Sequence, residues 1–244
     1  MSLSIKAKEL GEKEFVTVST KEQINIDLRY SGDRIYFFGT VPEKGADVVV
    51  KLISSATEHT KLTQKGKVGL FWMGTKQYEI SNIPFMYKIH SSGKLNSILT
   101  TTLAKELGIG YEILKGNMEL KLVKGEAPEE RDIVFDGFVK MKEKDNLYRI
   151  AEQRIKITQE RVFQHYFTFP QKAKEGTYKI ISYVIKGGKL LAMSNDTVVI
   201  QKVGMEGWLT RMARNYGLAY GIMAVIVAVS AGLLVGLIFK GGGH

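Results

Sequence analysis

Two hydropathy patterns divide the chain. As far as about residue 203, apolar and polar residues mostly alternate, the signature of half-buried strands; from Leu218 to Phe239 about 22 residues in a row carry no charge. In Gln23 to Tyr30, Ile24, Ile26, Leu28 and Tyr30 alternate with Asn25, Asp27 and Arg29, which predicts one strand. Ser31-Gly32-Asp33 turns into a second strand over Arg34 to Thr40, and Asp47 to Ser54 is a short valine-rich run. Val68 to Met73 and Gln77 to Ile83 flank an expected turn at Gly74-Thr75, and Phe85 to His90 completes a first β group. A second group comprises Arg154 to Thr158, Val162 to Phe169, Thr177 to Lys186 and Lys189 to Lys202. Its last two strands flank Gly187-Gly188, which tolerates the positive φ of a tight hairpin.

Between the groups the period lengthens. Leu95, Ile98, Leu99, Thr102, Leu103 and Glu106 fit one side of a helix that Gly108 can end in the left-handed conformation. Lys115 to Glu130 is charged and reads as a surface link. Pro128 suits a first helical turn, and Val134, Phe138 and Met141 carry that helix to about Asn146. The expected fold is mainly β: an immunoglobulin-like β-sandwich over residues 1–203 with a helical insertion at about 93–150, followed by a single C-terminal transmembrane helix. Two small β domains joined by helices is the alternative.

The uncharged run, residues 218–239, is long enough at 1.5 Å per residue to cross a hydrocarbon core of about 30 Å. The alternative is a buried helix of a soluble protein, but the rest of the chain offers no apolar helix of equal length to pair with it. Residues 204–217 form an amphipathic juxtamembrane segment, with Trp208, Leu209 and Met212 on one side. Trp208, Tyr216 and Tyr220 suit the membrane interface, Arg211 and Arg214 can reach lipid phosphates, and Lys240 can snorkel at the start of a short tail, residues 240–244. Ala224, Ala228, Gly232 and Gly236 recur every four residues. Such a small-residue stripe lets a second helix approach closely, either another membrane protein or a copy of this one.

Composition changes this picture little. The formal charge is +10, of which +2 falls from Gly204 onward and the remainder on the preceding residues. A basic surface favours anionic lipid, an anionic ligand or simply solubility; the lysines are spread out and form no block. There is no cysteine, hence no disulfide or thiolate site. The chain lacks the G-x-S-x-G, H-E-x-x-H and phosphate-loop patterns. No two of His59, His90, His165 and His244 share ligand spacing, and His165, alternating with Phe163 and Phe167, reads as a packed histidine. Phe71-Trp72-Met73 is the densest apolar cluster; a core strand is its favoured reading and a recognition edge the other. Aromatics and cations are not gathered as nucleic-acid binding requires. The expectation is a non-enzyme without catalytic residue, cofactor, metal or nucleic-acid partner.

Leu147-Tyr148, Phe163 to Pro170, Gly176-Thr177-Tyr178, the Gly187-Gly188 hairpin, Lys202-Val203-Gly204, Trp208 and Tyr220-Gly221 leading into the apolar run form a familiar order. Gly69 to Gly74 and Phe85 to Ser92 fit it too. Together they resemble a transmembrane protein family first defined in alphaproteobacteria, over most of the chain after about residue 20. The resemblance implies an extracytoplasmic (periplasmic) domain anchored in the inner membrane with a short cytoplasmic tail, and no catalytic residues. It also implies a transport or sulfur-related context, through exporter-type permeases. Family members typically begin with a secretory signal, whereas Met1 to Phe15 has no apolar core of that kind. Lys202, Arg211 and Arg214 before the span, against Lys240 after it, lean toward a cytoplasmic N-terminal domain. Two functions follow as expectations: a membrane-anchored accessory protein for a membrane partner, or an extracytoplasmic binding protein for a small anion such as a sulfur oxyanion.

Overall fold

Strands form where β-branched and aromatic residues repeat, because these side chains pack well on a pleated surface. The computed structural model describes residues 15, 17–68, 71–125 and 131–240. It contains strands β1 (Thr17–Ser19), β2 (Gln23–Ile26), β3 (Gly32–Thr40), β4 (Asp47–Ser54), β5 (Thr57–Val68), β6 (Phe71–Pro84) and β7 (Tyr87–Ser91). Helices α1 (Leu95–Ile98), α2 (Thr101–Leu107) and α3 (Tyr111–Asn117) follow, then β8 (Glu119–Lys124) and α4 (Arg131–Lys144). The remaining elements are β9 (Tyr148–Ala151), β10 (Lys156–Thr158), β11 (Val162–Pro170), β12 (Gly176–Lys186), β13 (Lys189–Lys202), α5 (Gly204–Asn215) and α6 (Gly217–Lys240). The chain is mainly β and ends in an apolar helix.

The strands make a four-stranded sheet in the order β1-β3-β11-β10, a six-stranded sheet in the order β2-β13-β12-β4-β7-β9, and a three-stranded sheet β5-β6-β8. The first two pack as a sandwich. Phe37, Phe163, Phe167 and Phe169 on one side and Val48, Val50 and Leu52 on the other are fully buried. Phe169 meets Tyr178 edge-on at 5.6 Å between ring centroids. The opposite face of the six-stranded sheet is covered by the helical insertion. Tyr87 reaches out of β7, donating to Gly108 O at 3.0 Å and accepting from Gly110 N at 2.8 Å. Lys51 on β4 donates to Leu107 O. With both faces covered, β4 is buried from Val48 to Leu52, Lys51 included, and all five β7 residues are buried. β7 and β9 pair in parallel, which the long helical crossover between them permits.

Several elements differ from the expectation. The predicted strand Gln23–Tyr30 stops at Ile26. Asp27 accepts from Arg29 N through its carboxylate at 2.9 Å and from Tyr30 N through its carbonyl at 3.1 Å, closing a turn that leaves Leu28 exposed. The helix expected over Leu95–Glu106 is two helices. Leu99 is extended (φ −110°, ψ 135°) and the Thr100 hydroxyl caps α2 by accepting from Leu103 N. Gly108 ends α2 at φ 64°, as its position requires. The segment expected as a surface link holds the end of α3 and all of β8, whose Leu120 and Leu122 register with Ile80 and Tyr78 of β6. Pro128 lies outside the described residues.

The chain forms two compact units. The first is residues 1–24 with 31–200; the second is residues 25–30 with 201–244.

Candidate functional site

In the second unit, Val203 N donates to Ile26 O at 2.9 Å, tying the end of β13 to β2. Gly207 makes the turn into α5 possible: a Cβ there would lie 2.3 Å from Lys202 O. On α5, Trp208 is about half exposed, Leu209 and Met212 are half-buried, and Arg211 and Arg214 are exposed. Tyr216 caps α5 with its N–H on Met212 O, and Tyr220 N donates to Tyr216 O one turn into α6. Lys240 is the last residue of α6; its side chain lies outside the described residues.

The window Gly217–Gly236 of α6 has a mean hydropathy of 2.4, and none of it is buried among the described residues. Ala224, Ala228, Gly232 and Gly236 are all exposed. A Cβ added at Gly232 or Gly236 would meet nothing within 4 Å. At 100° per residue, Gly217, Gly221 and Ala231 fall on the same face and lengthen the stripe beyond the four residues read from spacing. A helix of this length, apolarity and exposure fits a hydrocarbon core.

The first unit carries a β arm. Its two long strands, β5 and β6, pair from Thr57↔Pro84 to Val68↔Phe71, whereas β8 supports β6 only from Ser81 to Gln77. The reading of Phe71-Trp72-Met73 as a core strand is therefore overturned. Phe71 is 72% and Met73 54% exposed, because the hairpin runs past the edge of its sheet. The turn expected at Gly74-Thr75 is instead a bulged stretch of β6, where Gly66 and Gly74 accommodate Thr75 and Thr63 side chains that a Cβ would meet at 2.8 Å.

The sandwich interior holds polar groups that alternation alone had not brought together. His90 Nδ1 and His165 Nε2, 75 residues apart, sit 3.2 Å from one another, and both rings contact Phe167. Burial pushes His90 down to about 3, with Lys88, Arg149 and Arg154 adding to the effect. Burial likewise pushes His165 down to about 2, with His90 and Arg154 adding. His90 Nε2 and Ser182 Oγ have no hydrogen-bond partner among the described residues. Lys88, 2% exposed and held near 8 by burial and Arg149, donates to Thr168 O at 2.7 Å and Asn146 Oδ1 at 3.2 Å. Among the described residues no group of three or more His, Cys, Asp or Glu is placed to hold a metal.

Asn146 and Thr168 also line an open cleft of about 800 Å³ together with Lys21, Asp33, Arg34, Tyr36 and Gln171. Lys21 pairs with Asp33 across it at 2.7 and 2.9 Å. Arg34 lies 5.4 Å from the Tyr166 ring centroid, and Arg154, donating to the Tyr166 hydroxyl, lies at 5.3 Å. The cleft presents two cations and one carboxylate, and two of its lining residues, Asn146 and Thr168, accept from the Lys88 ammonium. Position along the chain gave no signal for it, since its lining comes from four separate segments.

A family model described as "Putative transmembrane protein (Alph_Pro_TM)" matches residues 14–241. No curated protein and no solved structure matches the chain.

Proposed function

The chain belongs to this transmembrane protein family, and from that premise we propose that it is a single-pass, non-enzymatic accessory protein that binds a membrane-protein partner through α6. The observation that carries the reading is the span itself: a twenty-residue window of mean hydropathy 2.4, unburied among the described residues, with an open small-residue face. In this reading the N-terminal domain lies in the periplasm and the anchor in the inner membrane. An exporter-type permease is the class of partner. The flanking cations pull the other way by the positive-inside rule, so the side is tested directly: protease added to intact spheroplasts removes the domain if it is periplasmic.

Small residues let two helices approach closely enough to pack by dispersion, and a leucine in the stripe blocks that approach. Gly232→Leu with Gly236→Leu is therefore expected to lower co-purification of the partner in mild detergent about tenfold, with the chain still in the membrane fraction. Identical partners at equal yield would remove the stripe as the contact.

The cleft favours a second reading, capture of a small oxyanion by Lys21 and Arg34, for which a sulfur oxyanion is one candidate. Titration calorimetry of the detergent-solubilised chain with sulfite, sulfate and phosphate at low salt is expected to give heat that Arg34→Gln abolishes. No heat with any of the three would sink this reading.

A further inference from the structure

The charge on the outer part of the β5–β6 arm is of one sign. Residues 60–78 contain Lys61, Lys65, Lys67 and Lys76 and neither Asp nor Glu. β8 leaves β6 at Gln77, so six further residues of β6, from Lys76 to Phe71, extend beyond the sheet, a projection of about 20 Å at strand rise. A two-stranded ribbon of that length gains little from burying its end residues on its own sheet. An apolar pair at its end is thus poorly explained by folding alone.

The register sorts the end of the arm into two faces. Met73 pairs with Gly66 and Phe71 with Val68, on one side; Lys67 pairs with Trp72 and Lys65 with Gly74, on the other. Phe71 and Met73 are exposed on the first face, and Lys65 and Lys67 are exposed on the second. An apolar wedge backed by cations matches the interface of a bilayer that carries anionic headgroups. The hydrocarbon boundary accepts the aromatic and thioether side chains while phosphates receive the ammonium groups. A protein acid patch would match the lysines but not a projecting Phe–Met pair, and an uncharged lipid surface would leave the lysines without a role.

We propose that the tip of the β5–β6 arm is a second membrane contact, inserting Phe71 and Met73 at the interface and selecting anionic lipid through Lys65 and Lys67. The proposal rests on the reading that α6 anchors the chain, because an anchored domain meets lipid at high effective concentration, so that even a weak contact is populated.

The test uses the full chain with Trp208→Phe, leaving Trp72, the sequence neighbour of both tip residues, as the single tryptophan. The protein is reconstituted into nanodiscs of phosphatidylcholine alone, or with phosphatidylglycerol added, and with brominated acyl chains as quenchers. Trp72 emission is expected to shift to the blue and be quenched in the anionic discs only. Lys65→Gln and Lys67→Gln together are expected to weaken the contact about twenty-five-fold, at about fivefold per lysine, and abolish the quenching. Phe71→Ser with Met73→Ser should abolish it without changing the far-ultraviolet circular dichroism. Equal quenching in both lipids would overturn the selection of anionic headgroups. Shielding of Trp72 from iodide without quenching by brominated lipid would mean that a protein surface covers the tip, and would overturn the lipid assignment. Resistance to alkaline carbonate extraction scores the anchor separately. An extracted chain refutes the span, whereas a retained chain with unquenched, iodide-accessible Trp72 refutes the arm.

Discussion

Acidification from pH 7 to pH 4.5 is expected to destabilise the β-sandwich by about 5 kcal/mol, through two histidines alone. His90 and His165 are 7% and 3% exposed, and their pKa values in the fold lie near 3 and 2. In the unfolded chain each titrates near 6.5. Between these limits the unfolded state binds protons that the folded state refuses, so stability falls as pH falls. The loss begins near pH 6.5 and continues toward pH 3. At pH 4.5 each histidine has crossed two pH units at about 1.4 kcal/mol per unit, which is about 2.7 kcal/mol apiece. Total stabilities of domains lie at about 5–15 kcal/mol, so the effect is of the order of the whole. A second protonation also leaves two donors facing each other at 3.2 Å, with no acceptor between them. Circular dichroism melts of the detergent-solubilised chain at pH 7, 6, 5 and 4.5 measure it. His90→Asn and His165→Asn should each remove about half of the pH dependence. Profiles parallel to wild type in both variants would show that the pair does not titrate this way.

Glu58→Gln is expected to destabilise the fold by about 3–5 kcal/mol, because it strands a buried ammonium. Lys142 on α4 is 3% exposed and pairs with Glu58 on β5. Its Nζ lies 4.7, 5.4 and 5.9 Å from the ring centroids of Phe85, Phe138 and Tyr148, and its remaining backbone acceptor, Phe85 O, is at 3.4 Å. Burial lowers the Lys142 pKa, and the Glu58 carboxylate pulls it back up. Removing that carboxylate leaves burial unopposed; Lys174, which also pairs with Glu58 at 3.5 Å, is two-thirds exposed and can turn to water. Replacing both partners by apolar residues, Glu58→Leu with Lys142→Met, removes the charge and its counter-charge together. It is expected to come within about 1 kcal/mol of wild type. Denaturant midpoints of the two variants and wild type decide the matter. A double variant as unstable as Glu58→Gln would show that shape, not charge, holds α4 to this sheet.

The strands that could be read from the sequence are those whose two faces differ or whose ends carry turn residues. β4 and β13 have the predicted limits, Asp47–Ser54 and Lys189–Lys202. Gly187 and Gly188 have the positive φ that their hairpin needs. Reading failed where a local rule had two outcomes. Leu28 continued a period of two, but Asp27 closed a turn first. Lys88 and His90 alternate with Tyr87 and Ile89, a pattern that normally sets a polar face toward water. Here that face meets the four-stranded sheet, because β11 brings His165 and Thr168 over it from 75 to 80 residues away. The Phe71–Met73 cluster was misread for the converse reason. Apolar residues usually lie inside, but the length of a hairpin relative to its third strand is a property of pairing, which no window of sequence contains.

The sequence by itself determined the apolar C-terminal helix, the β class, the interruption by helices and the absence of recognisable catalytic motifs. These depend on local composition and period, and a twenty-residue apolar run needs no tertiary partner to be too apolar for water. Only the tertiary structure decided what each polar residue faces: the neutral histidine pair, the Lys142–Glu58 pair, the cleft at Arg34 and the projecting basic arm. Each of these depends on the free energy of a group in surroundings supplied by distant segments, and burial, unlike period, is fixed only when those segments meet.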